Sequence, residues 1–132
     1  MRLHVLGLPH TRTTAEFSHC AYTGKVRRFA AMLQPLGYEL VHYGVGEAPD
    51  SPGWREHVEV LTTPEQTDLL GYESTGHGPR FVGEGAYVNA PLYAAFNARL
   101  EKLLETHVGP EDWICAPFGH AHLQALSGRL LA

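Results

Sequence analysis

Cysteine is scarce in this 132-residue sequence: Cys20 and Cys115 are too few and too far apart for a disulfide framework or a four-thiolate zinc site, which fits a reducing compartment. Basic charge is scarce as well. Ten Lys plus Arg against fourteen Asp plus Glu leave a formal charge of −4, and no basic cluster extends beyond Lys25, Arg27 and Arg28. A phosphate backbone therefore finds no electrostatic footprint, which excludes nucleic-acid binding by charge. No stretch approaches the roughly 18 consecutive apolar residues of a membrane helix, and the first residues lack the apolar core of a signal peptide. A soluble, cytoplasmic protein with no membrane contact is the expectation. Also missing are a Gly-x-Gly-x-x-Gly run and a Gly-x-x-x-x-Gly-Lys run, so the dinucleotide and P-loop readings fall.

Histidine is what the chain holds in excess. Nine are spread along it, none gathered as a tag, in a composition of 44% hydrophobic and 18% charged residues that suits one folded domain over residues 1–132. Residues 2–8 carry Leu3, Val5, Leu6 and Leu8 ahead of Pro9 and read as a buried strand. A helix follows, with Thr13 or Thr14 as its cap and Val26, Phe29, Ala30, Leu33 and Leu36 on its apolar face, stopped by Pro35 and Gly37. Residues 38–43 form a second strand, completing a strand, helix, strand unit whose crossover is parallel.

After a Gly- and Pro-rich loop over residues 44–53, residues 58–61 read as a third strand, and Thr63 caps a short helix that Gly71 ends. The glycine-rich stretch near residues 71–88 reads as a long flexible loop or lid. Asn89 caps a strong helix carrying Leu92, Tyr93, Phe96, Leu100, Leu103 and Leu104, closed by Gly109 and Pro110. A fourth strand over residues 113–116, a turn at Pro117, Phe118 and Gly119, and a last helix from His120 complete the order. Such alternation predicts an α/β fold: a parallel sheet with helices on both faces, short of the strands of a complete doubly wound domain.

In an open parallel sheet a ligand binds at the carboxyl ends of the strands where strand order reverses, here between the first and fourth strands. His10, Thr11 and Thr13 follow the first; Gly119, His120 and His122 follow the fourth. Hydroxyls and imidazoles in place of glycines suit hydrogen bonds to a polyol, or acid/base work near neutral pH. The last helix adds a positive dipole end for a phosphate or carboxylate. Each of these histidines also has a plain structural reading as a capping or loop-packing group. A shared zinc ion is disfavoured, because His120 and His122 diverge by about 200° at a helix start. His4, His42 and His57 alternate along strands and read as satisfied sheet or surface histidines, while His77 and His107 read as solvent-exposed. Cys20 reads as buried and inert, and Glu16 as favourable helix N-terminal charge.

The run Val5-Leu6-Gly7-Leu8-Pro9-His10-Thr11, then Thr13-Thr14, Ser18-His19-Cys20-Ala21-Tyr22-Thr23, Lys25-Val26, and Leu36 through Gly44, resembles the amino-terminal part of glycosyltransferase-like proteins with the GT-B fold. Cys115 followed by Phe118-Gly119-His120-Ala121-His122 fits the same group's turn after the fourth strand. The likeness spans most of the chain outside residues 46–88. It implies a Rossmann-like domain that faces a second, donor-binding domain across a cleft, with transfer of a sugar from a nucleotide-sugar to an acceptor and no catalytic metal or other cofactor. On that likeness His10 and His120 are the catalytic candidates, for acceptor activation or for holding the donor phosphate, and Thr11, Thr13, Gly119 and His122 line the substrate. The competing expectation is a non-catalytic module that binds a ligand or packs against another subunit, as a homo-oligomer does. Exposed Leu126, Leu130 and Leu131 would favour it. A His-dependent metallohydrolase is a third and weaker reading.

Overall fold

The computed structural model describes residues 1–18, 20–74 and 89–117. Within them four strands, β1 (Arg2–Leu6), β2 (Glu39–Val45), β3 (Trp54–Leu61) and β4 (Trp113–Cys115), form one sheet in the order β3-β2-β1-β4. Every pairing is parallel. Three helices accompany it, α1 (Ala21–Leu33), α2 (Thr63–Leu70) and α3 (Ala90–His107). Successive strand residues point to opposite faces, and the two cores divide accordingly. Leu6, Val41, Tyr43 and Val45 pack with Leu92, Phe96, Leu100 and Leu104 of α3, whereas Val5 packs with Tyr22 and Val26 of α1. The result is the expected α/β, Rossmann-like arrangement with helices on both faces.

Several boundaries move for local reasons. β2 runs on to Val45, past Tyr43, and β3 starts at Trp54 instead of residue 58, because the two strands pair along most of their length. The cap of α2 is Thr62, one residue before the expected Thr63: its hydroxyl accepts from the Glu65 N–H, and the Glu65 carboxylate accepts from the Thr62 N–H. Glu65 stands three residues after Thr62, the spacing a capping box needs. Gly71 ends α2 at φ 82°, in the left-handed region where glycine carries no Cβ penalty. α3 matches expectation closely, with the Asn89 side chain accepting from the Leu92 N–H.

Neither Thr13 nor Thr14 caps α1. Thr14 precedes a single 3-10 turn, Ala15–Phe17, and α1 begins only after Cys20, with no side-chain cap. The threonine hydroxyls are drawn elsewhere, as described below. Leu36 also leaves the stripe: it lies in a 3-10 turn, Gln34–Leu36, and is 69% exposed, because Pro35 removes the N–H that would continue the helix. The buried face of α1 is instead Tyr22, Thr23, Val26 and Ala30. His107 is not the free surface residue expected. It is half-buried, its ring edge-on to Tyr43, and its Nδ1–H donates to the Leu103 carbonyl. Of the loop or lid expected near residues 71–88 only residues 71–74 are described; the rest of it, with His77, and the helix expected after residue 117 lie outside the described residues.

Candidate functional site

β1 pairs with β2 on one side and β4 on the other, so the chain reverses its direction of travel across the sheet at β1 and β4. The loop leaving β1 over residues 7–14 occupies the carboxyl end of that junction, where open parallel sheets hold their ligands. Its first residue must be glycine. Gly7 donates its N–H to the Tyr43 carbonyl at 2.7 Å, and a Cβ on it would stand 2.4 Å from that same oxygen.

His10 is buried in this loop, with Nδ1 2.8 Å from the hydroxyl of Tyr93 on α3 and the two rings stacked at 6.2 Å. Burial lowers its pKa to about 4, so the imidazole is neutral at pH 7. Burial, and then the neighbouring Cys20, push the Tyr93 hydroxyl up to about 12, which keeps it protonated. Nε2 of His10 has no partner among the described residues.

Thr11 and Thr13 turn inward. Thr23 of α1 donates to the Arg12 carbonyl at 2.7 Å, and Thr11 lies 3.2 Å from the Thr23 hydroxyl, so α1 grips the loop from below. Thr13 Oγ1 lies 2.8 Å from Nε2 of His42 in β2. From the other side, Gln66 of α2 donates its amide to the Pro9 carbonyl at 2.7 Å. That carbonyl only accepts, which fixes the amide orientation and leaves Gln66 Oε1 buried without a partner among the described residues. Arg12 lies over the Phe17 ring at 4.9 Å and donates from a terminal nitrogen to the Ser74 carbonyl at 3.1 Å, while its Nε is buried without a partner among the described residues. Lys25 of α1 reaches the Pro117 carbonyl after β4 at 3.2 Å.

His10, Thr11 and Thr13 are thus brought together at the strand-order switch, while Gly119, His120 and His122 lie outside the described residues. The strand histidines His4, His42 and His57 are all paired within the fold, as their alternation along the strands implied. Sequence reasoning missed Arg12, Gln66 and Tyr93 as loop partners. Arg12 stands in the gap between the quoted Thr11 and Thr13 and offered a signal; Gln66 and Tyr93 read as ordinary helix residues. Cys20 is a buried free thiol, as expected, and the described residues contain no group of three His, Cys, Asp or Glu side chains that could hold a metal ion. No helix among them is long and apolar enough to cross a membrane. Comparison with protein-family models, with curated proteins and with solved structures found no match to this chain.

Proposed function

We propose that this chain is the amino-terminal, Rossmann-like half of a cytoplasmic glycosyltransferase-like enzyme, which moves a sugar from a nucleotide-sugar to an acceptor hydroxyl once a second domain supplies the donor site. The observation that carries the reading is His10: a neutral imidazole at the strand-order switch, anchored through Nδ1 by Tyr93 and unpartnered at Nε2 among the described residues. In the tautomer that donates from Nδ1–H to the Tyr93 oxygen, Nε2 offers a lone pair to an acceptor hydroxyl. As that oxygen bonds to the anomeric carbon, the bond from the sugar to the diphosphate breaks, the nucleoside diphosphate leaves and the hydroxyl proton passes to Nε2. Thr11, Thr13 and Gln66 act by shaping the loop that holds His10. His120, with Gly119 and His122, belongs to this proposal on the sequence resemblance alone.

The test is saturation-transfer NMR on this chain with UDP-glucose and a set of free mono- and disaccharides. Transfer to the ring protons of at least one sugar, lost in His10→Ala while the protein's own amide spectrum is retained, is the expected result. Absence of transfer to every sugar, or undiminished transfer in His10→Ala, overturns the site. One observation favours the competing reading of a subunit-packing module: Trp113 on β4 is 62% exposed. Sedimentation of the chain as a dimer that Trp113→Ala dissociates would support it.

A further inference from the structure

Three contacts in series run from the loop into the sheet. Thr13 Oγ1 lies 2.8 Å from His42 Nε2, His42 Nδ1 lies 3.0 Å from His57 Nδ1, and His57 Nε2 lies 2.8 Å from the Gly46 carbonyl oxygen. The carbonyl at the far end sets every proton. It only accepts, so neutral His57 carries its proton on Nε2 and shows a lone pair at Nδ1. His42 therefore donates from Nδ1 and accepts at Nε2, and Thr13 is the donor to His42. Another proton costs this chain a bond or a buried charge. Added at His57 Nδ1 with no shift at His42, it sets two N–H groups face to face; added at His42 Nε2, it turns Thr13 from donor to acceptor, leaves the Thr13 O–H to find a new partner and makes a buried imidazolium.

The surroundings are fitted to the rings. A Cβ on residue 44 would stand 2.5 Å from His42 Cε1, so Gly44 makes the space for that imidazole, and Trp54 closes it edge-on at 5.0 Å. The charges on the neighbouring elements are engaged elsewhere or exposed. Arg12 is held by Ser74 and Phe17, Arg27 of α1 pairs with Asp50, and on β3 the neighbouring Glu56, opposite Val41, and Glu59, opposite Gly44, are both exposed. Among the described residues no carboxylate bonds to either imidazole.

We propose that the His42–His57 stack is a proton-sensitive clamp on the β1 loop: neutral, it grips Thr13 and keeps the His10 loop closed, and uptake of one proton by the stack opens the loop. As a regulator it rests on reading this loop as the ligand site. Burial, and then the neighbouring His57, lower the His42 pKa from 6.5 to about 3. The closed loop thus refuses a proton that an open, hydrated loop accepts. Below pH 6.5 and down to about 3, each unit of acidification then favours the open loop by about tenfold.

Amide hydrogen exchange at residues 11–17 of the full chain, corrected for intrinsic rates and followed from about pH 7.5 to about 4.5, reads this directly. His10 also has a lowered pKa and gives its own slope, so the comparison is made in His10→Gln. Protection there is expected to fall about tenfold per pH unit below the ordinary imidazole value, and to become flat in His10→Gln/His42→Gln. A flat profile in His10→Gln, or an unchanged slope in the double variant, overturns the clamp. Should the double variant fail to fold, ¹⁵N shifts of the wild-type imidazoles at neutral pH decide. His42 protonated on Nδ1 and His57 on Nε2 support the chain, and any other tautomer or an imidazolium overturns it. Neither measurement uses a ligand, so a failure here is distinct from a failure of the saturation-transfer test.

Discussion

His4 Nε2 donates to Asp112 Oδ2 at 2.9 Å while its Nδ1 lies 2.7 Å from the Tyr43 hydroxyl, so one buried imidazole ties β1 to β2 and to the turn that precedes β4. Burial pushes the Tyr43 hydroxyl well up and keeps its proton in place. The His4 bond, and then the Gly109 N–H, hold the Asp112 carboxyl below its ordinary value. Tyr43→Phe leaves Nδ1 buried without its hydroxyl partner. The expected loss is about 1–3 kcal/mol, read as a lower urea midpoint at unchanged slope.

Gly44→Ala is expected to damage the opposite face of the same strand. The new methyl must displace the His42 ring, at a cost of about 1–3 kcal/mol for overpacking, and the Thr13 bond goes with it. Both a lower urea midpoint and faster amide exchange at residues 11–17 are the readouts. Unchanged values for both would mean that β2 does not fix the ring.

His10 is expected to titrate near pH 4 when followed through its ring-proton NMR shifts. Its folded pKa lies below the 6.5 of an ordinary imidazole, so protonation favours the unfolded or open form. Its contribution to stability is therefore complete above pH 6.5 and is lost as the pH falls from there to about 4. A midpoint near the ordinary value would place His10 in water and remove the basis of the proposed site.

Thr62→Ala removes the hydroxyl that accepts from the Glu65 N–H and unties the first turn of α2. A loss of about 1 kcal/mol is expected. Because α2 also carries Gln66, whose amide holds the Pro9 carbonyl, the exchange of loop amides around residue 10 should rise more than that of the α3 amides. Equal change at both would argue that α2 and the loop are uncoupled.

Much of the fold is legible in the chain because its signals are local. Asn89 ahead of an apolar face that includes Leu92, Phe96 and Leu100 needs only helical geometry to become α3, and the start of α2 is legible to within one residue, its cap being Thr62 in place of the expected Thr63. The loop after β1 was legible as a place, since parallel strands put their ligands at the carboxyl end. Its hydrogen-bond partners were not legible, because they come from afar: Tyr93 meets His10 across 83 residues and Gln66 meets Pro9 across 57. The threonine caps expected for α1 failed for the same reason. Thr13 finds its partner in His42, 29 residues away, and so its hydroxyl is not left to accept from an N–H of the next helix.

The sequence by itself determined the order of strands and helices and set one face of each toward a core, because hydrophobic periodicity is read over a few neighbouring residues. Only the tertiary structure decided which polar groups meet. In the parallel pairing of β2 with β3, Leu40 faces Trp54 but Val41 faces Glu56, a one-residue slip that sets His57 beside His42. Without that slip Glu56 would stand there, and a carboxylate would raise the affinity of the buried imidazole for a proton where a second imidazole lowers it. A register shift of this kind depends on how two separate strands settle against each other, and so it is invisible along the chain.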